Sequence, residues 1–263
     1  MPATATATGA ANPVISFFEW FGELGKFCLR LARAAVTPPF EVRELLRQMD
    51  EIGTRSLPLV ALAGSAIGVV LSLHTRESLI RFGAKSMLPT LIMLSVIRET
   101  GPIITALVVS GRVGAGIGAE LGSMKVTEQI DAIEASAVDP WKLLVATRVL
   151  AAMLMLPLLT IVADFCGIIS GWVINRINEP LSFRHYLQQG FDSVTFDDLL
   201  PATLKTVVFG LLIGVIGCYQ GLRTSGGTEG VGRAATSSVV ISSLLVILAD
   251  VVLVQFIIAF IER

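Results

Sequence analysis

Five charged residues stand inside stretches that are otherwise apolar: Arg98 and Glu99, adjacent in "VIRETGPI", Asp164 in "TIVADFCG", Lys205 in "ATLKTVV" and Asp250 in "VILADVV". A charge at the centre of a bilayer is disfavoured by about 2.5–3.5 kcal/mol on insertion scales, so such groups pair with one another or face a polar cavity. Two bases and three acids can staple helices together, hold a charged head group or relay protons. Covalent chemistry has no comparable support. His74 and His185 are far apart, Cys28, Cys166 and Cys218 make no CxxC pair, and no metal-ligand spacing or G-x-S-x-G elbow occurs. One stretch, "GRVGAGIGAELG" at 111–122, fits G-x-G-x-x-G/A through Gly114, Gly116 and Ala119. That fingerprint cradles a phosphate only between a strand and a helix of a βαβ unit. Here an apolar, helix-length segment precedes it, and no G-x-x-x-x-G-K-[ST] loop exists.

The elements that must position these residues are membrane helices. Of 263 residues, 53% are hydrophobic and only 16% charged, against about 25% charged in soluble domains. A net charge of −1 gives no basic field for nucleic acid. About 20 mainly apolar residues span a bilayer, and five segments qualify, near 57–75, 87–111, 143–174, 199–220 and 236–261. The expected fold is therefore an all-α integral membrane protein of five transmembrane helices. Residues 1–13 are expected as a disordered leader, 14–56 as an interfacial helix and a short polar connecting helix, and 57–263 as one membrane domain. Along 14–35, Glu19, Glu23, Lys26, Arg30 and Arg33 make a polar stripe, and Phe17, Phe21, Leu24, Cys28 and Leu31 an apolar one. Such a helix lies in the membrane interface. With the N-terminus cytoplasmic and the C-terminus outside, twelve Lys and Arg fall on inside segments and six on outside ones, the bias that sets orientation.

The glycines have a second spacing. Gly114, Gly118 and Gly122 are four apart, as are Gly64 and Gly68, Gly167 and Gly171, Gly210 and Gly214, and Gly217 and Gly221. Small residues at i, i+4 let helices approach closely in lipid. After them, "SMKVTEQIDAIEASAVDP" reads as a short acidic amphipathic helix on the cytoplasmic face, capped at Thr127, with Asp139 and Pro140 opening the third span. Its length, well beyond what a connection needs, marks it as a docking element.

The run "RETGPIITALVVSGRVGAGIGAELGSMKVTEQIDAIEASAVDP", with "GGTEGVGRAATSSVVISSLLVILAD" at 226–250, resembles the MlaE/YrbE permeases, the membrane subunits of ABC-type lipid transporters that work with MCE-domain proteins. The resemblance covers about 40–260. It implies a non-catalytic bacterial inner-membrane subunit that binds no cofactor directly, ATP and Mg being held by a separate ATPase chain. That ATPase would receive a coupling helix at about 120–137, with Glu120, Lys125, Glu128, Asp131 and Glu134 as candidates. It further implies a second permease copy, identical or paralogous, a lipid cavity between the two, and an MCE-domain partner outside, expected as a hexamer. Arg98, Glu99, Lys205 and Asp250 match intramembrane charges of the family, whereas Asp164 has no match. The cavity walls are expected from apolar residues of the first and fifth spans, with Ile67, Val70, Leu71, Leu73 and His74 on the outward half of span one as candidates. The alternatives are an ion-coupled secondary transporter using the buried carboxylates, which inverted repeats would favour, and a lipid-acting membrane enzyme.

Overall fold

A computed structural model describes residues 13–178 and 182–260. Residues 1–12 of the leader expected over 1–13, and the terminal Arg263, lie outside the described residues, whereas Pro13 already opens a helix. Every regular element among those residues is helical, and five helices are long and apolar enough to cross a membrane. We number them α1 (Pro13–Val36), α2 (Val42–Arg81), α3 (Lys85–Val126), α4 (Gln129–Ala135), α5 (Trp141–Ile177), α6 (Phe183–Phe191), α7 (Phe196–Leu222) and α8 (Gly227–Phe260). The spans are α2, α3, α5, α7 and α8. One end of the bundle carries α1, α4 and the α7–α8 turn; the other carries α6.

α1 has three faces. Trp20, Leu24, Phe27 and Leu31 pack on the bundle, where Phe27 meets Trp141 and Tyr219 at centroid distances of 4.9 and 5.5 Å. The polar stripe lies on one side of that contact. The third face, with Phe18, Phe21, Cys28, Leu29 and Val36, is exposed. The apolar stripe expected from spacing therefore divides: Leu24 and Leu31 serve the protein contact, while Phe21 and Cys28 do not.

The polar helix expected before span one and the span itself form one 40-residue helix, α2. Its polar half is held by pairs four residues apart, such as Arg55 to Glu51 at 2.6 Å and Gln48 to Glu44 at 2.8 Å. A buried stripe of Gln48, Ile52, Ser56, Val60, Gly64, Gly68 and Ser72 then runs through both halves without interruption. Gly64 and Gly68 meet the α5 backbone: a Cβ on Gly64 would sit 2.5 Å from the Ala163 carbonyl, and one on Gly68 would collide with that of Gly167. Ser72 Oγ donates to the Gly171 carbonyl at 3.1 Å. α7 joins α5 in the same way, since a Cβ on Gly210 would lie 2.6 Å from the Ala152 carbonyl.

α3 is a 42-residue run in which the α-helical pieces Leu88–Ser95, Gly101–Val109 and Ala115–Val126 alternate with π turns at Val96–Thr100 and Ser110–Gly114. α8 begins at Gly227 rather than near 236. Gly226 and Gly227, at φ 89° and 69°, supply the left-handed turn after α7, and Ala234, Ser238 and Ser242 are already buried. α6 lacks an apolar span's signal. It caps a small second core of Ile92, Met93, Val96, Ile97, Ile168 and its own Tyr186.

Candidate functional site

The charges are positioned by a local irregularity in α3. Pro102 has no N–H and its ring would strike the carbonyl four residues back in a regular helix. The turn Val96–Thr100 widens instead, and the Gly101 N–H bonds the Val96 carbonyl, five residues back. Such π turns gather at functional positions. This one directs Arg98 and Glu99 towards α7 and α8. Lys205 Nζ, with its side chain 1% exposed, lies 2.8 Å from Glu99 Oε2 and 3.0 Å from Asp250 Oδ1. Three spans are thereby tied at one ammonium.

Arg98 pairs with Asp198 in the first turn of α7. Asp198 is fixed in turn by a capping box, its Oδ2 accepting the Thr195 N–H at 2.8 Å and hydroxyl at 2.9 Å. Both ion groups border one cleft of about 100 Å³ whose other walls include Pro201, Val254 and Ile258. A polar lining beside an apolar wall suits an amphiphile, with a charged head and apolar tails. Of the five charges expected inside the membrane, four are in these ion groups. Asp164 belongs to neither ion group; it is buried against the backbone of Gly101, and its Oδ1 has no hydrogen-bond partner among the described residues. Among the described residues no cluster of His, Cys, Asp and Glu could hold a metal.

On α2, Val70, Leu73 and His74 are exposed and Ile67 is half-buried. Leu71 turns inward and packs against the second core. α8 adds a longer apolar surface, with Val240, Leu244, Leu248, Val251 and Val252 exposed.

At the other end, the helix expected over about 120–137 is two pieces. Residues through Val126 continue α3, and α4 starts after Glu128, whose φ of 59° turns the chain. Thr127 does not cap α4; its hydroxyl bonds back to the Ser123 carbonyl at 2.8 Å. Ile130 pins α4 to the bundle, Lys125 meets Asp131 at 3.2 Å, and Glu128, Asp131 and Glu134 are exposed. A groove of about 460 Å³ runs beside it, lined by Ile130, Glu134, Val138 and Trp141 among others. Asp139 Oδ1 accepts the Trp141 N–H at 3.0 Å, opening α5. Glu120 belongs to α3 instead of α4 and pairs at 2.8 Å with Arg148, a side chain only 2% exposed.

Above α4, Gly118 and Gly122 are close-packing positions. A Cβ on Gly118 would collide with Ser238 Oγ, and one on Gly122 would lie 2.7 Å from Thr224 Oγ1. Gly114, at the end of a π turn, has only ordinary contacts, 3.5 Å to Ser242 Oγ. Gly116 of the discarded nucleotide fingerprint faces open space.

A five-span helical bundle with ion pairs in its interior fits a membrane transport permease. The Permease MlaE family profile matches residues 45–256, and the chain belongs to that family. It is 36% identical over 241 residues to a probable ABC transporter permease protein of Rickettsia typhi, covering 92% of this chain and 93% of the relative. It is 33% identical over 243 residues to the intermembrane phospholipid transport system permease protein MlaE of Haemophilus influenzae, covering 91% and 92%. The chloroplastic Arabidopsis thaliana protein TRIGALACTOSYLDIACYLGLYCEROL 1 is 32% identical over 232 residues, 88% of this chain and 65% of that one.

Proposed function

We propose that the chain is the membrane subunit of an ATP-driven ABC-type transporter in a bacterial inner membrane, moving phospholipid or a related lipid to or from an MCE-protein conduit. A separate ATPase chain hydrolyses the ATP, and a second permease copy completes the lipid cavity. The N-terminus and α4 face the cytoplasm, as the positive charges favour. The relatives' names support the transport class: one is named a probable ABC transporter permease protein and another an intermembrane phospholipid transport system permease protein.

The observation that carries the reading is α4. A seven-residue helix is held between two spans by one buried isoleucine, with its carboxylates exposed beside an open groove. Such a part gives a partner a handle joined directly to α3 and α5. At the opposite end, the cleft bordered by Arg98, Glu99 and Asp198 offers polar contacts to a head group, and the exposed apolar faces of α2 and α8 accommodate acyl chains.

The test is co-purification of the ATPase with the chain, followed by ATP-dependent lipid transfer in proteoliposomes. Asp131→Lys with Glu134→Lys is expected to abolish both while leaving the melting temperature of the permease unchanged. Assembly and ATP-coupled transfer that survive this reversal would remove α4 as the coupling element.

A further inference from the structure

At the α1 end, far from the Glu99–Lys205–Asp250 cluster, a pocket of about 310 Å³ lies between α1 and the bundle. Its floor is aromatic, made by Phe27, Trp141 and Tyr219. Its rim carries Lys26, Arg30 and Arg223 against a single carboxylate, Glu23. Three cations less one carboxylate leave a formal charge of +2. Glu23 is already engaged by Arg223 and, at 3.2 Å, by the Tyr219 hydroxyl. Arg30 is held over the Trp141 ring, 5.8 Å from its centroid, with its charge at the pocket mouth.

The pocket's depth follows from α1 itself. The face carrying Phe18, Phe21 and Leu29 is exposed and apolar, and such a helix settles with that face at the boundary between head groups and acyl chains. Aromatic side chains also gather at this level. Lys26 and Arg30, on the adjoining stripe, are then placed among the head groups. The geometry points to a binding site for the phosphate of an anionic glycerophospholipid, held by Lys26 and Arg30 over the aromatic floor, with the acyl chains along the apolar face of α1. Free inorganic phosphate shares the head-group chemistry but gains nothing from that face.

Native mass spectrometry of the full chain in a neutral sugar detergent tests this, with dioleoyl phosphatidylglycerol, dioleoyl phosphatidylcholine and inorganic phosphate as separate probes. One phosphatidylglycerol per chain is expected to bind preferentially over phosphatidylcholine. Lys26→Ala with Arg30→Ala weakens that binding at least about tenfold, since each surface cation contributes several-fold. The charge-conserving pair Lys26→Arg and Arg30→Lys retains it. Arg43→Ala with Arg47→Ala removes equal charge outside the pocket and changes it less than about twofold. Equal weakening by the two alanine pairs would reduce the effect to general electrostatics and overturn the site. Phosphate binding as tight as that of the lipid would overturn the lipid assignment.

Discussion

The Lys205 ammonium lies 2.8 Å from the Glu99 carboxylate and is all but sealed from its surroundings, whereas Glu99 is 47% exposed. The pair is asymmetric: the cation is structural, and the acid is the member that a cleft occupant can reach. Asp250 completes the arrangement from α8 at 3.0 Å.

Removing Lys205 strands Asp250, which is 11% exposed. Lys205→Ala is therefore expected to destabilise the solubilised chain by about 3–5 kcal/mol, the range for breaking a buried pair. Glu99→Gln is expected to be milder, because its partner keeps Asp250. Combining Lys205→Met, Glu99→Gln and Asp250→Asn should restore the melting temperature without restoring lipid transfer. Recovery of transfer in that variant would limit the cluster to a structural role.

The two kinds of glycine in α3 should respond with opposite signs. Gly118→Ala puts a methyl into Ser238 on α8 and is expected to destabilise by about 1–3 kcal/mol, as overpacking does. Gly116→Ala meets nothing and gains helix propensity of up to about 1 kcal/mol. Thermal unfolding of the two variants side by side checks the difference.

Glu120, near the end of α3, and Glu134, on α4, have different jobs. Glu120→Ala orphans the buried Arg148 and is expected to lower the melting temperature by several degrees. Glu134→Ala is expected to leave it unchanged and to reduce only ATPase coupling.

Docking of α1 should depend on pH. The Arg223 guanidinium bonded to Glu23 holds its carboxyl below the ordinary value of 4.5. A carboxylate depressed in this way contributes stability above its unfolded value and loses it as pH falls through the native one. Tryptophan emission, reporting Trp20 against Tyr219, is expected to hold steady down to pH 4.5 and change below it. In Glu23→Gln that acid transition should be missing.

The five spans are legible because each carries enough apolar residues to announce itself, and the family resemblance rests on the long run from "RETGP" to "AVDP" together with the stretch at 226–250. What escaped was encoded in contacts between distant segments. Asp198 had one local signal, the Thr195-x-x-Asp198 capping box, which marks a helix start without revealing that Arg98 would meet it. Arg148 counted among the positive charges of the inside segments, and only packing shows it buried against Glu120. The polar half of α2 gave no apolar signal, so its fusion with the span became visible only through the stripe shared with α5. The π turn at Val96–Thr100 offsets the helix phase by one residue, which a constant 3.6-residue period cannot register.

The stripe from Gln48 to Ser72 has a mechanical consequence. At 1.5 Å per residue α2 is about 60 Å long, twice the hydrocarbon thickness of a bilayer. It is seated on α5 by glycines whose neighbours leave no room to slide. The two helices amount to a single beam reaching from the α1 end to the α6 end.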